Sequence, residues 1–340
     1  MTGKQSIDPS IARIPKVELH LHLEGAIRKS TIQELAGQPD TAVSINNVSD
    51  ESFKYQNLAH FVATMQKLIN SCLRRPEDYQ RVSYELFTDL AAQNVRYAEV
   101  SFDPFRGRKL GISLAQMLAS IDRARLEIMK EKPIQIGLII GFGREHGPEL
   151  ALEFMQQAIE EKSKGLVGID LHGNESALAP QKFTETFSLA RQAGLGLRAH
   201  AGEGEGPESI WGVINTLGVS RVAHGIRALE DPRLIEYLKN NPVTLDVSPS
   251  SNVKLGIVPS MAKHPIRELF DRGVRLSLGT DDPLFFNTTI SNEYQNLKKQ
   301  LNFTPSELKA ITLSGLAGSF LPEQDKKKLQ QEIERDFVVE

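Results

Sequence analysis

Val167-Gly168-Ile169-Asp170-Leu171-His172-Gly173 is a short run of β-branched and apolar residues. It is followed by the amphipathic stretch Pro180–Gly194 and by a second run, Gly196-Leu197-Arg198-Ala199-His200-Ala201-Gly202. Strand, helix, strand at this spacing predicts a parallel pair, because a parallel connection needs a crossover of a dozen or more residues. The same alternation continues in both directions. Upstream lie runs at Val17–Leu23, Val95–Phe102 and Ile134–Phe142, and downstream at Arg221–Gly225, Val243–Pro249 and Val274–Asp281. Helical patterns at Asp78–Gln93, Leu114–Lys130, Pro148–Lys164, Pro207–Leu217, Asp231–Lys239 and His264–Gly273 separate them, several ending at or next to glycine as helix C-termini do. Eight strands alternating with helices predict an α/β fold, the (β/α)8 or TIM barrel.

Such a barrel takes about 250 residues, and the chain has 340. The surplus is assigned to an insertion after the first strand, about residues 30–76, and to two terminal helices, Thr304–Leu316 and Glu323–Arg335, within about 304–335. The second is charged enough to read as solvated. No repeat, low-complexity run or linker marks a second domain, so residues 1–340 read as one barrel domain. Within the insertion Leu58, Phe61, Met65 and Leu68 fall at helical spacing. They pack on the barrel's flank or form an apolar lid over a substrate, since the insertion follows a strand on the face where barrels keep their active sites.

Forty Lys plus Arg against 43 Asp plus Glu give a net charge of −3. Charges of both signs are interspersed, without the basic stripe that nucleic-acid binding requires, so no nucleic-acid partner is expected. A single cysteine, Cys72, excludes an internal disulfide and a multi-thiolate metal site. The polar segment Met1–Ile14 lacks the apolar core of a signal peptide, and no stretch approaches 18 uninterrupted apolar residues. A cytoplasmic protein without a membrane segment is expected; oligomeric state is left open.

Polar residues collect where the predicted strands end. Strand one ends in His20-Leu21-His22, whose alternation puts both imidazoles on one side. Strand five ends in His200-Ala201-Gly202-Glu203, strand six in Ala223-His224-Gly225, and strand eight in Thr280-Asp281-Asp282-Pro283. Four of eight histidines and an aspartate pair thus reach one face, and imidazole with carboxylate is the ligand set of Zn²⁺ and related ions. The spacing does not choose between Asp281 and Asp282. No lysine ends strands three to six to bridge a second ion, so one metal is expected. His60, His146 and His264 read as surface or capping residues, and His172 is undecided. The run Gly202-Glu203-Gly204-Glu205-Gly206-Pro207 looks superficially like a phosphate loop, but it lacks the G-x-G-x-x-G spacing and carries two glutamates.

With these segments in view the chain resembles the adenosine deaminase family of the metal-dependent amidohydrolases. The landmarks are Pro15–Ala26, Gly168–Glu175, His200–Glu203, Val222–Gly225, Ser248–Asn252 and Ser277–Pro283. The resemblance implies one Zn²⁺ per chain held by His20, His22, His200 and Asp281. His224 and Asp281 would orient or deprotonate a water. Glu203 would protonate the ring nitrogen beside the amino-bearing carbon of a purine. Asp282 and the Gly173 N–H would pin the base, with His22, Glu24, Leu58, Phe61 and Met65 completing the substrate site. The implied reaction is hydrolytic deamination of a 6-aminopurine nucleoside, adenosine to inosine plus ammonia.

Departures bear on substrate. Glu24 stands where adenosine-specific members usually carry aspartate, and Ala223 where adenine-specific members tend to carry an acid. Ser248 and Gly279 replace a common cysteine and asparagine. The alternatives are the same chemistry on adenine or on a 5′-modified adenosine such as aminodeoxyfutalosine, or, in a different class, an inactive purine-binding protein. Zinc deaminases of nucleic-acid bases are excluded, because their signature needs a Cys pair.

Overall fold

The computed structural model describes residues 6–36, 45, 48, 53–56, 58–161 and 165–337; the side chains of Leu58 and Ala59 lie outside that description. Most of the anticipated insertion between 37 and 52, and the end of the helix expected to reach Lys164, also fall outside it. Eight strands, β1 (Lys16–His22), β2 (Val95–Phe102), β3 (Gln135–Gly143), β4 (Leu166–His172), β5 (Gly196–Ala201), β6 (Arg221–His224), β7 (Thr244–Val247) and β8 (Arg275–Leu278), pair in sequence order. Every laddered pair is parallel. The barrel closes between β8 and β1 through one bridge, Leu21 with Asp281. There the Asp281 N–H donates to the His20 carbonyl at 3.0 Å and the His22 N–H to the Asp281 carbonyl at 2.9 Å.

The strands read as nearly unbroken apolar runs because both faces are covered. In β3, Ile136, Leu138, Ile139, Ile140 and Phe142 are all buried, as expected of a sheet with helices outside and a packed interior. Full burial of each such side chain contributes about 1.5–3 kcal/mol. Helices start where the chain supplies caps. The Ser113 hydroxyl accepts from the Gln116 N–H at the head of Leu114–Glu131, and Thr304 does the same with Glu307 for Pro305–Gly318, each cap adding about 1 kcal/mol.

Three details differ from the sequence reading. β8 stops at Leu278, because Asp281 turns into the left-handed region at φ 63°. Pro180–Gly194 divides into a 3₁₀ turn, Pro180–Phe183, and a helix, Thr184–Gln192. The terminal helix Glu323–Asp336 is not simply solvated: it buries Leu329 and Ile333 against the barrel. Among the described residues no helix is long and apolar enough to cross a membrane.

Candidate active site

The C-terminal ends of β1, β5 and β6, with the residues just past β8, bring His20, His22, His200, His224 and Asp281 to one point. His20 Nε2 lies 3.2 Å from His200 Nε2 and 3.4 Å from Asp281 Oδ1. His22 Nε2 lies 3.4 Å from the same oxygen. Ligand atoms of His20, His200, His224 and Asp281 all fall within 4.8 Å of one another, and an overlapping group joins His22 and His200 to Asp170. The tightest set therefore contains His224, with His22 attached through Asp281 and His200. Two of these residues hold backbones that L-amino acids seldom adopt, His224 at φ 64° and Asp281 at φ 63°, a strain of about 1–3 kcal/mol each. Strand alternation alone does not reveal such turns.

Three of the ligand candidates are held from behind. His20 Nδ1 lies 3.1 Å from the Asp246 carbonyl and 3.3 Å from Ser248 Oγ. His200 Nδ1 lies 3.3 Å from Asp170 Oδ1, and the other Asp170 oxygen accepts from Arg198 at 3.0 Å. Ser251 Oγ donates to Asp281 Oδ2 at 2.7 Å. Fixing the far nitrogen of an imidazole sets which nitrogen faces a metal. Gly279 lets β8 come this close: a Cβ there would lie 2.6 Å from the His20 carbonyl oxygen.

Glu203 stands beside this group, its Oε2 3.5 Å from His224 Nε2. Asn252 Nδ2 donates to Glu203 Oε1 at 3.2 Å and lies 3.2 Å from His224 Nδ1, while Asn252 Oδ1 meets His264 Nε2 at 3.2 Å. His264 is thus buried, not superficial, and its Nδ1 accepts the Ile266 N–H at 3.1 Å. The glycine-rich run around Glu203 wraps an internal anion. The N–H groups of Gly202, Glu203 and Gly204 donate to the Glu175 carboxylate at 2.7, 3.0 and 2.8 Å.

Above these groups lies a cavity of about 100 Å³, lined by His22, Glu24, Phe61, Met65, Gly173 and Asp282 from the sequence reading. Leu58 begins the helix Leu58–Cys72, but its side chain lies outside the described residues. Phe61 and Met65 face the cavity from that helix, and Leu68 is buried beneath it. Glu24 Oε1 accepts the Asp103 N–H at 2.9 Å. Gly173 has φ 89°, and a Cβ there would lie 2.2 Å from Glu145 Oε2. Sequence reasoning missed Val62, Asp103, Arg106 and Leu255, which also line the cavity, and left His172, another lining residue, undecided. Asp103-Pro104 at the end of β2 was the readable signal, a strand-end acid like those of β5 and β8.

Burial sets the electrostatics. It pushes His22, His200 and His224 below the ordinary imidazole value, keeping them neutral, the form that binds metal. Burial also works to raise Asp281, but its interactions with the imidazoles of His20, His224 and His22 hold it well below the carboxylate range. Glu203 goes the other way, raised well above that range by burial and by the Asp281 and Glu175 charges. Asp282 is raised by burial and by Asp281, and Glu24 by burial to about 7 despite the opposing Arg106 charge. Neutral imidazoles, one ionised carboxylate and no thiolate among the converging atoms make a donor set that fits zinc or a similar divalent ion.

The chain matches the adenosine deaminase family over residues 15–336. It is 32% identical to an adenosine deaminase of Shewanella denitrificans, covering 93% of this chain and 97% of the relative. It is 31% identical to an aminodeoxyfutalosine deaminase of Streptomyces avermitilis, covering 95% and 91%. Among solved structures it resembles adenine deaminase from Arthrobacter aurescens (TM-score 0.89, 27% identity, 95% and 98% covered). It also resembles an amidohydrolase from Burkholderia ambifaria with bound zinc (TM-score 0.88, 25% identity, 99% and 95% covered). With the His/Asp cluster at the head of an eight-stranded barrel, the chain belongs to the adenosine deaminase family and is a metal-dependent aminohydrolase.

Proposed function

We propose that this protein, as a single barrel domain, removes the 6-amino group of a purine nucleoside by hydrolysis, converting adenosine to inosine and ammonia. One zinc ion per chain would be held by His20, His22, His200 and Asp281. The observation that carries the reading is the opposed pair of carboxyls beside the cluster: Asp281 held ionised, and Glu203, on the other side of His224, held protonated. Environments that drive two acids apart assign acid and base roles.

When bound, zinc supplies Lewis acidity, making water acidic enough to yield hydroxide near neutral pH. Glu203 gives its proton to the ring nitrogen beside the amino-bearing carbon, drawing electrons from that carbon as the nucleophile attacks. Asp281 takes up one proton of the water and passes it to the amine, which leaves as ammonia while the new hydroxyl gives up its proton and Glu203 is restored. His224, kept neutral, orients the attack. Asp282 and the Gly173 N–H hold the five-membered ring and the far ring nitrogen, pointing the amine at the ion. Phe61 and Met65 form the apolar side and exclude bulk water.

Glu24 favours a second reading, the same chemistry on adenine or on a 5′-modified adenosine, because its carboxylate reaches a bond further than an aspartate's. Relatives named for each of these substrates support it. The test is ammonia release by zinc-loaded and metal-stripped protein from adenosine, adenine and a 5′-extended adenosine at equal concentration. Release from adenosine ahead of the others, lost on stripping, is expected; no release from any 6-aminopurine would reject the proposal.

A further inference from the structure

Arg106 is the unusual side chain of the cavity. It lies in the short helix Pro104–Lys109 that follows β2, and its side chain is only 12% exposed. Yet its guanidinium makes no hydrogen bond among the described residues. Its nearest carboxylate oxygen, Asp103 Oδ2, is 3.9 Å from Nε, beyond hydrogen-bond reach, and Nε is buried without a partner. The buried Nε of Arg144 and of Arg198 also lacks a partner, but the terminal nitrogens of these and of the other buried arginine of the barrel, Arg221, are engaged. Arg198 donates to Asp170 and to the Leu19 carbonyl, Arg144 to the Leu178 and His200 carbonyls, and Arg221 to Glu99, Asp246 and Leu19. Those guanidiniums are structural. A permanently charged fork that faces the cavity with its Nε buried and unbonded and no hydrogen bond from its terminal nitrogens is costly to the empty protein, and that cost is recovered when a ligand supplies acceptors.

The neighbours of Arg106 say which acceptors. Asp103 stands beside it, and the Arg106 charge acts on both Glu24 and Asp282. Glu24 is tied to the same segment through the Asp103 N–H, leaving its second oxygen for the cavity. An anionic ligand would meet three carboxyl groups around one guanidinium. A neutral group rich in hydroxyls meets donors and acceptors together, which is the complement of a sugar. We propose that Arg106, with Asp103 and Glu24 beside it, reads the sugar of a nucleoside substrate and is the residue that separates a nucleoside from its free base. The inference rests on the purine aminohydrolase reading and extends it to substrate choice.

The experiment compares kcat/KM for adenosine, adenine and adenosine 5′-monophosphate in the zinc-loaded wild type, Arg106→Gln and Arg106→Lys. Calorimetric binding of inosine and of hypoxanthine to the same proteins gives a readout independent of turnover. Arg106→Gln is expected to lower kcat/KM for adenosine about 30-fold while adenine stays within threefold, and to weaken inosine but not hypoxanthine binding. Arg106→Lys, which keeps charge without the fork, is expected to fall between. An equal loss on adenosine and adenine would make Arg106 a structural residue, and an unchanged ratio would place selection elsewhere; either overturns the proposal. A wild-type preference for the monophosphate that disappears in Arg106→Gln would assign the fork to an anion and overturn the sugar reading. A wild type that deaminates no 6-aminopurine removes the parent reading and this one with it.

Discussion

Two clusters of buried polar side chains occupy the barrel a few residues apart along the strands, and they are built on opposite plans. Toward the N-terminal ends, Arg221 lies between Glu99 and Asp246, Arg198 pairs with Asp170, and Tyr97 and Ser277 hydroxyls take further carboxylate oxygens. All of these residues are essentially inaccessible to water, and every cation has its anion. At the C-terminal ends the neutral imidazoles and displaced carboxyls of His22, His200, His224, Glu203 and Asp282 converge on Asp281, and the guanidinium of Arg106 faces the cavity without a hydrogen bond among the described residues. The lower cluster has its charges matched as folded and holds strands together. The upper one is complete only when a cation and a substrate join it, which is how buried groups with unmet demands come to mark a working site.

Substitutions on the two sides should separate accordingly. Glu203→Gln is expected to retain zinc while turnover falls about 10²–10⁴-fold; near-normal ammonia release would remove Glu203 from the chemistry. Arg221→Met, which leaves Glu99 and Asp246 buried without their cation, should cost about 3–5 kcal/mol of stability in urea unfolding, with metal stoichiometry unchanged in the folded fraction. If it instead lost metal and kept its stability, the two clusters would not be distinct. Asp170→Asn touches both, since Asp170 pairs with Arg198 and backs His200. Zinc affinity should drop about 10–100-fold, and an unchanged affinity would confine Asp170 to the lower cluster.

The smallest effect is in pH. His22, His200 and His224 have folded values below an unfolded imidazole, so the unfolded chain binds more protons as pH falls through about 6.5. Metal-stripped protein should therefore lose thermal stability below that pH. Removing one of these buried imidazoles, as in His224→Gln, should flatten the curve.

The strands were legible because covered faces produce near-continuous apolar runs, and β1 to β8 appear where such runs were read. The histidines were legible because the barrel converts strand ends into neighbours, so that residues 20, 200 and 224, far apart in the chain, needed only equivalent positions. What stayed hidden depends on contacts rather than on period. The left-handed turns at His224 and Asp281 follow no strand alternation. Asn252, bridging Glu203, His224 and His264, looked like one more polar residue after β7. The glycine-rich run revealed its loop but not its guest, because Glu175 sits 27 residues before Gly202. Arg106 follows a strand whose end showed no histidine.

The Leu21 with Asp281 bridge gives the molecule a seam, and it lies between the first strand to be synthesised and the last. The proposed ligands His20 and His22 emerge from the ribosome early and Asp281 late, yet one stitch serves both barrel closure and the metal set. An ion held across it works as a clasp on the newest joint of the chain. A truncated product ending before Asp281 carries the imidazoles but lacks the seam and one of the proposed ligands, so on that proposal retention of an ion would require the barrel to have been made through β8.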